Sequence, residues 1–144
     1  MNPHDASVYE NSFPLEGMTF KDAGRVSNQV KKILQKMNFH KDIIRRAAVI
    51  TYEAEINICS YAERGRITLQ VTPQHIIIEA IDEGQGIKDI ELAMQEGYST
   101  ATKNIYHMGF GAGMGLSNIK RFSDSFNITS EVGKGAHLKM VINV

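Results

Sequence analysis

Asp82-Glu83-Gly84-Gln85-Gly86-Ile87 closes an apolar run and leaves an aspartate at its end. A carboxylate there can accept the exocyclic amine of adenine, and glycines two and four residues on let the backbone approach a flat base. The same residues would also close a strand with a tight turn. Gly109-Phe110-Gly111-Ala112-Gly113-Met114-Gly115-Leu116 carries glycine at every second position and opens a helical pattern. Its bare amides could curve around an anion, and the helix behind them adds its N-terminal dipole. A flexible hinge is the plainer reading, but four glycines against a helix start exceed what a hinge needs. Glu53 and Asn57 stand four apart in a helical stretch, about 40° from each other around the axis. A carboxylate beside an amide oxygen suits one general base and one ligand for a hard cation. It is also what a solvated helix flank ordinarily carries. As a set, the three stretches point to a nucleotide site.

Residues 7–15 read as the first strand, with Tyr9, Phe13 and Leu15 on one side. Thr19 and Asp22 fit a capping box, followed at helical spacing by Ala23, Val26, Val30, Ile33, Leu34 and Met37, with Asn38 as a left-handed stop. A second helix is expected from Lys41 to Glu63, with Ile43, Ala47, Ile50, Ala54, Ile58 and Tyr61 as its stripe and Gly65 as its end. Glu55 points to a different side from Glu53. Ile67, Leu69 and Val71 alternate with Thr68 and Gln70 as a strand. Thr72-Pro73-Gln74 makes a turn. Residues 75–81 form another strand, in which Ile76, Ile78 and Ala80 share the side of Asp82. Asp82 is therefore expected to face inward, where a carboxylate needs a partner.

Residues 90–95 read as a short helix and 97–108 as a loop rich in Ser, Thr, Lys and Asn. A third main helix spans 113–124, with Leu116, Ile119 and Phe122 on one face. Strands at 126–131 and 136–143 are joined by Gly133-Lys134-Gly135. This order predicts an α+β fold, a largely antiparallel sheet with helices packed on one face. No repeat or linker interrupts it, so one domain over 1–144 is expected, with 1–6 disordered.

Hydrophobic residues make up 42% of the chain, enough for a core. Sixteen basic and sixteen acidic residues balance, which gives no general attraction to nucleic acid or an anionic membrane. Cys59 is the only cysteine, which fits a reducing compartment. No signal peptide or spanning run is evident, and a cytoplasmic protein is the expectation. The five histidines lack metal spacing. Gly133-Lys134 lacks the other residues of a P-loop. The glycines at 109–115 do not match dinucleotide spacing. Lys103 and His107 could meet phosphates, and Met108 and Met114 could line a base pocket, though solvated loop residues and packing are the ordinary readings.

In order, Glu53-x-x-x-Asn57, Asp82-x-Gly84-x-Gly86 and Gly109-x-Gly111-x-Gly113-x-Gly115 resemble the N, G1 and G2 boxes of the Bergerat-type ATP-binding fold shared by gyrase, histidine kinases and MutL. The length, and Tyr61-Ala62 after Asn57, look most like its anti-sigma factor and switch-kinase branch. The resemblance covers about residues 7–144 and implies a two-layer sandwich with a mixed, mostly antiparallel sheet. It implies ATP and Mg²⁺ as cofactors, with Glu53 as general base and Asn57 as the Mg²⁺ ligand. Asp82 would bind the adenine amine, and Gly84, Gly86 and Ile87 would shape the base pocket. Residues 97–112 would form a lid, with Gly109, Gly111, Gly113, Met114, Gly115, Leu116 and Lys103 at the nucleotide. Many members have threonine where this chain has Ala136, which removes one water-mediated adenine contact.

The implied function is an ATP-binding anti-sigma regulatory factor that phosphorylates a Ser or Thr of an antagonist protein in a bacterial partner-switching pathway. The alternative is a nucleotide-dependent protein-binding switch without significant turnover. The implied partners are a STAS-type anti-sigma factor antagonist, a sigma factor, or both; a homodimer is compatible with this, and no nucleic acid or membrane is expected.

Overall fold

The computed structural model describes residues 9–84, 115–131 and 133–144. Strand β1 (Tyr9–Glu16) leads into helices α1 (Arg25–Lys36) and α2 (Lys41–Tyr61). Strands β2 (Ala62–Val71) and β3 (His75–Gly84) follow, then helix α3 (Gly115–Phe122) and strands β4 (Ser125–Glu131) and β5 (Gly135–Asn143). The five strands form one sheet in the order β1-β2-β3-β5-β4, and all four pairings are antiparallel.

Alternation in the strands builds the core from rows that cross the sheet. Phe13, Ile67, Ala80, Leu138 and Ile128 align in one row, and Leu69, Ile78, Met140 and Phe126 in the next. Their inward side chains pack with Val30, Leu34, Ile50 and Ile58 of α1 and α2. Each fully buried Ile or Leu contributes about 1.5–3 kcal/mol through apolar surface removed from water. Arg66, His137 and Lys139, of the opposite parity, are exposed. No helix among the described residues is long and apolar enough to cross a membrane.

Helix α2 is the scaffold of the site, touching α1, α3 and the sheet. It ends at Tyr61, two residues before the expected Glu63, because Ala62 takes extended backbone and begins β2 directly. Gly65 is therefore not its stop. That glycine lies inside β2, where a Cβ would come within 2.8 Å of Ile58 Cγ2 on α2. Of the expected stripe, Ala47, Ile50, Ala54 and Ile58 are buried while Ile43 and Tyr61 are half-buried; Ile44, Thr51 and Glu55 join the buried side.

The capping box expected at Thr19 and Asp22 does not form. The Thr19 hydroxyl accepts the Lys21 N–H at 3.2 Å within the preceding loop, and α1 begins at Arg25 behind Gly24, whose φ of +96° no side-chain cap accompanies. Asn38 does take the left-handed conformation expected of it, with φ 61°. Helix α3 stops at Phe122, short of the expected Asp124. The Asp124 carboxylate accepts the Asn143 N–H at 2.8 Å and pairs with Arg46 at 3.2 Å. Arg46 Nε also donates to the Phe122 carbonyl at 3.0 Å. This clip fixes the C-terminal end of α3 to α2 and β5, and so sets where its N-terminal end lies.

Candidate functional site

The row beyond the apolar ones contains Leu15, Gly65 and Asp82, with Ala136 one step past the last β3–β5 pair. Asp82 thus stands inward between two residues too small to cover it. The Ala136 N–H donates to Asp82 Oδ1 at 3.1 Å. Burial pushes the Asp82 carboxyl above its ordinary proton affinity, and the Ala136 hydrogen bond partly offsets this. The approach requires glycine at position 135: its φ is +127°, and a Cβ would lie 2.1 Å from the Asp82 carbonyl oxygen. Gly84 is equally confined, since a Cβ there would meet Ala62 Cα at 2.9 Å and the Tyr61 carbonyl oxygen at 3.0 Å. The end of β3 is thereby drawn tightly under the end of α2.

Glu53 leaves α2 on the side of α3. A methyl group built on Gly115, the first residue of α3, would lie 3.4 Å from Glu53 Oε2. One turn along, Asn118 Nδ2 donates to Glu53 Oε1 at 3.5 Å. Burial raises the proton affinity of Glu53, with the Asn118 amide opposing it. Asn57 is half-buried one turn after Glu53, and its successor Ile58 packs on Gly65, the β2 neighbour of Asp82. The structure therefore brings Gly115 to Glu53, while Ile58 packs on the β2 neighbour of Asp82. Leu116 is 8% exposed and its side chain belongs to the core. Gly86, Ile87, Lys103, Gly109, Gly111, Gly113 and Met114, the helix expected at 90–95 and the lid expected at 97–112 lie outside the described residues.

Glu55 has a role the sequence reading did not assign. Two residues from Glu53, it projects about 200° away around α2, and it is 0% exposed. Its carboxylate accepts the Val26 N–H at 3.0 Å and the Ser27 N–H at 3.3 Å, first-turn amides of α1 that have no intrahelical partner. An acidic cap from α2 thus replaces the local capping box. Burial raises the proton affinity of Glu55, against the pull of these amides and of Arg25. The available signal is a glutamate set between Ala54 and Ile56, one residue after the Ala54 of the apolar stripe. Cys59 is buried, with burial as the main cause of a thiol pushed up to about 11, a value at which it stays protonated and unreactive.

A layered α+β fold, an inward aspartate at a strand end, and a helix-borne carboxylate facing a glycine at a helix start are consistent with an ATPase-type nucleotide domain. Residues 42–144 match the family described as Histidine kinase-, DNA gyrase B-, and HSP90-like ATPase, and the chain belongs to that family. Serine/threonine-protein kinase RsbT of Bacillus subtilis (strain 168) is 31% identical over 104 residues, 68% of this chain and 72% of the relative. The anti-sigma F factor of Thermoanaerobacter sp. (strain X514) is 29% identical over 118 residues, covering 82% and 75%. That of Clostridium acetobutylicum is 30% identical over 102 residues, covering 69% and 62%. The anti-sigma and switch-kinase branch expected from the motifs is the branch in which these relatives fall, and the family implies ATP as the nucleotide.

Proposed function

We propose that this chain is an ATP-dependent anti-sigma regulatory factor that transfers the γ-phosphate to a serine or threonine of an antagonist protein. The observation that carries the reading is the half-buried Glu53 carboxylate at the start of α3, with Gly115 beside one oxygen and Asn118 on the other. Burial has raised its proton affinity, which suits a group that must take a proton. Glu53 accepts the substrate hydroxyl proton as that oxygen bonds to the γ-phosphorus. The bond from phosphorus to the β–γ bridging oxygen breaks, and ADP leaves.

Asp82 holds the base through Oδ2, which has no hydrogen-bond partner among the described residues, with Gly84, Gly86 and Ile87 shaping the pocket. Asn57 is the Mg²⁺ ligand. Among the described residues no group of three or more His, Cys, Asp or Glu could hold a metal, so a lone amide oxygen fits an ion whose other ligands are phosphates and water. When bound, the ion would neutralise phosphate charge. Residues 97–112 serve as the lid, with Lys103 and the amides of Gly111, Gly113 and Gly115 toward the phosphates and Gly109, Met114 and Leu116 at the nucleotide, and 1–144 is a single domain. The partner is a sigma factor or its antagonist, a class that the names of the relatives support in general; a STAS-type antagonist is the form proposed, and a homodimer is compatible with it.

Calorimetric titration with ATP, with and without Mg²⁺, followed by mass analysis of the cognate antagonist after incubation with Mg-ATP, tests this. Binding with a new phosphoprotein is expected. ATP binding without phosphoprotein, together with nucleotide-dependent affinity for the antagonist, would instead identify a switch.

A further inference from the structure

Asn118 and Gly115 are three residues apart on α3 and so share one face of it, and both lie against Glu53. Leu116 and Ile119 hold the neighbouring face in the core at 8% and 0% exposure. The clip from Arg46 and Asp124 holds the far end of the same helix. The rotation of α3 is therefore determined, and with it the direction from which the Asn118 amide reaches the carboxylate. We propose that Asn118 is a positioning residue for the Glu53 base: it holds Oε1, so that Oε2 alone faces the start of α3 and the incoming hydroxyl. This rests on the kinase reading above and adds to it the group that selects which carboxylate oxygen reacts.

The chemistry favours an amide over an ion in this place. A lysine or arginine at 118 would pair with Glu53 and lower its proton affinity, weakening it as a base. An aliphatic residue would leave a half-buried carboxylate free to turn. A neutral donor orients the group while leaving most of its basicity intact. Among the described residues only burial and Asn118 displace the Glu53 proton affinity.

The test compares the full-length wild type with Asn118→Ala and Asn118→Gln by three measurements. These are carboxyl-carbon titration of Glu53 by nuclear magnetic resonance, ATP affinity by calorimetry, and the pH profile of phosphoryl transfer to the antagonist. Asn118→Ala is expected to titrate higher than wild type, to bind ATP within about twofold, and to transfer roughly 10-fold more slowly through lost orientation alone. The acid limb of its profile should move up with the titration, and Asn118→Gln should recover part of both. The inference is overturned if the Glu53 titration is the same in wild type and Asn118→Ala, whether or not the rate falls. If wild type transfers no phosphate yet the titration shifts as expected, the kinase reading fails while the pairing of Asn118 with the carboxylate stands.

Discussion

The Ala136 N–H donates to Asp82 Oδ1 at 3.1 Å, the one hydrogen bond on this carboxylate among the described residues. That hydrogen bond orients the carboxylate, and in the proposed site Oδ2 is the acceptor for a base. Asp82→Asn should be damaging for a specific reason. The amide oxygen takes the Ala136 N–H, which turns the NH2 group toward the adenine amine and sets donor against donor. Loss of a charge-assisted hydrogen bond, about 1.5–3 kcal/mol, predicts ATP affinity weaker by about 10- to 100-fold. Calorimetric titration measures it, and affinity within twofold of wild type would remove Asp82 from the base site.

Gly135 permits this arrangement through its φ of +127° and its closeness to the Asp82 backbone. Gly135→Ala adds both left-handed strain, about 1–3 kcal/mol, and a methyl group where the Asp82 carbonyl oxygen stands. The expected outcome is a lower unfolding temperature together with weakened ATP binding. Gly133→Ala serves as the comparison: it shares a positive φ, 86°, but a Cβ there meets nothing within 4 Å. It should lose stability and keep its affinity for ATP.

Glu55 supports α1 from across the fold. Glu55→Ala leaves the Val26 and Ser27 amides buried without partners, at about 1–3 kcal/mol each when a donor is stranded. A loss of about 2–4 kcal/mol in total is expected, with partial relaxation included. Chemical denaturation measures it. Since the side chain faces away from Glu53, transfer rates measured well below the melting temperature should stay near those of wild type.

Titration follows from the same burial. The folded value of Glu55 lies above the ordinary 4.5, so between the unfolded and folded values the folded state holds more protons than the unfolded chain. Its contribution is then greatest below about 4.5 and is lost as pH rises through the folded value. Glu53 and Asp82, also raised, slope the same way. Asp124 slopes oppositely. Its carboxyl is held below 3.8, chiefly by the Asn143 N–H, so its contribution is present above that value and lost as pH falls through the folded one. Stability against pH should therefore be flatter for Glu55→Gln than for wild type just above pH 4.5. Thermal melts across that range check it, and parallel curves would contradict it.

How much of this is legible in the chain depends on sequence distance. Period 2 in Ile76-Ile77-Ile78-Glu79-Ala80 puts Asp82 inward, and period 3.6 puts Glu53 and Asn57 on one edge of α2, so the element order and the side from which these groups project can be read directly. Glu55 cannot be read as a cap, because its partners Val26 and Ser27 are 29 and 28 residues away. Gly135 reads as a turn glycine until Ala136 is found on Asp82, 54 residues distant. Asn118 carries no signal of its own until α3 is laid against α2. Thr19 and Asp22 mislead because a local capping pattern is outcompeted by a buried carboxylate from another helix.

The central claim is that Glu53 takes the proton in phosphoryl transfer, and Glu53→Ala tests it most directly when ATP affinity and single-turnover transfer to the antagonist are measured on the same preparation. The account predicts ATP binding within a few-fold of wild type and transfer reduced by about 10²- to 10⁴-fold, the range for loss of a general base. Transfer by Glu53→Ala at the wild-type rate, with ATP bound equally well, would contradict it.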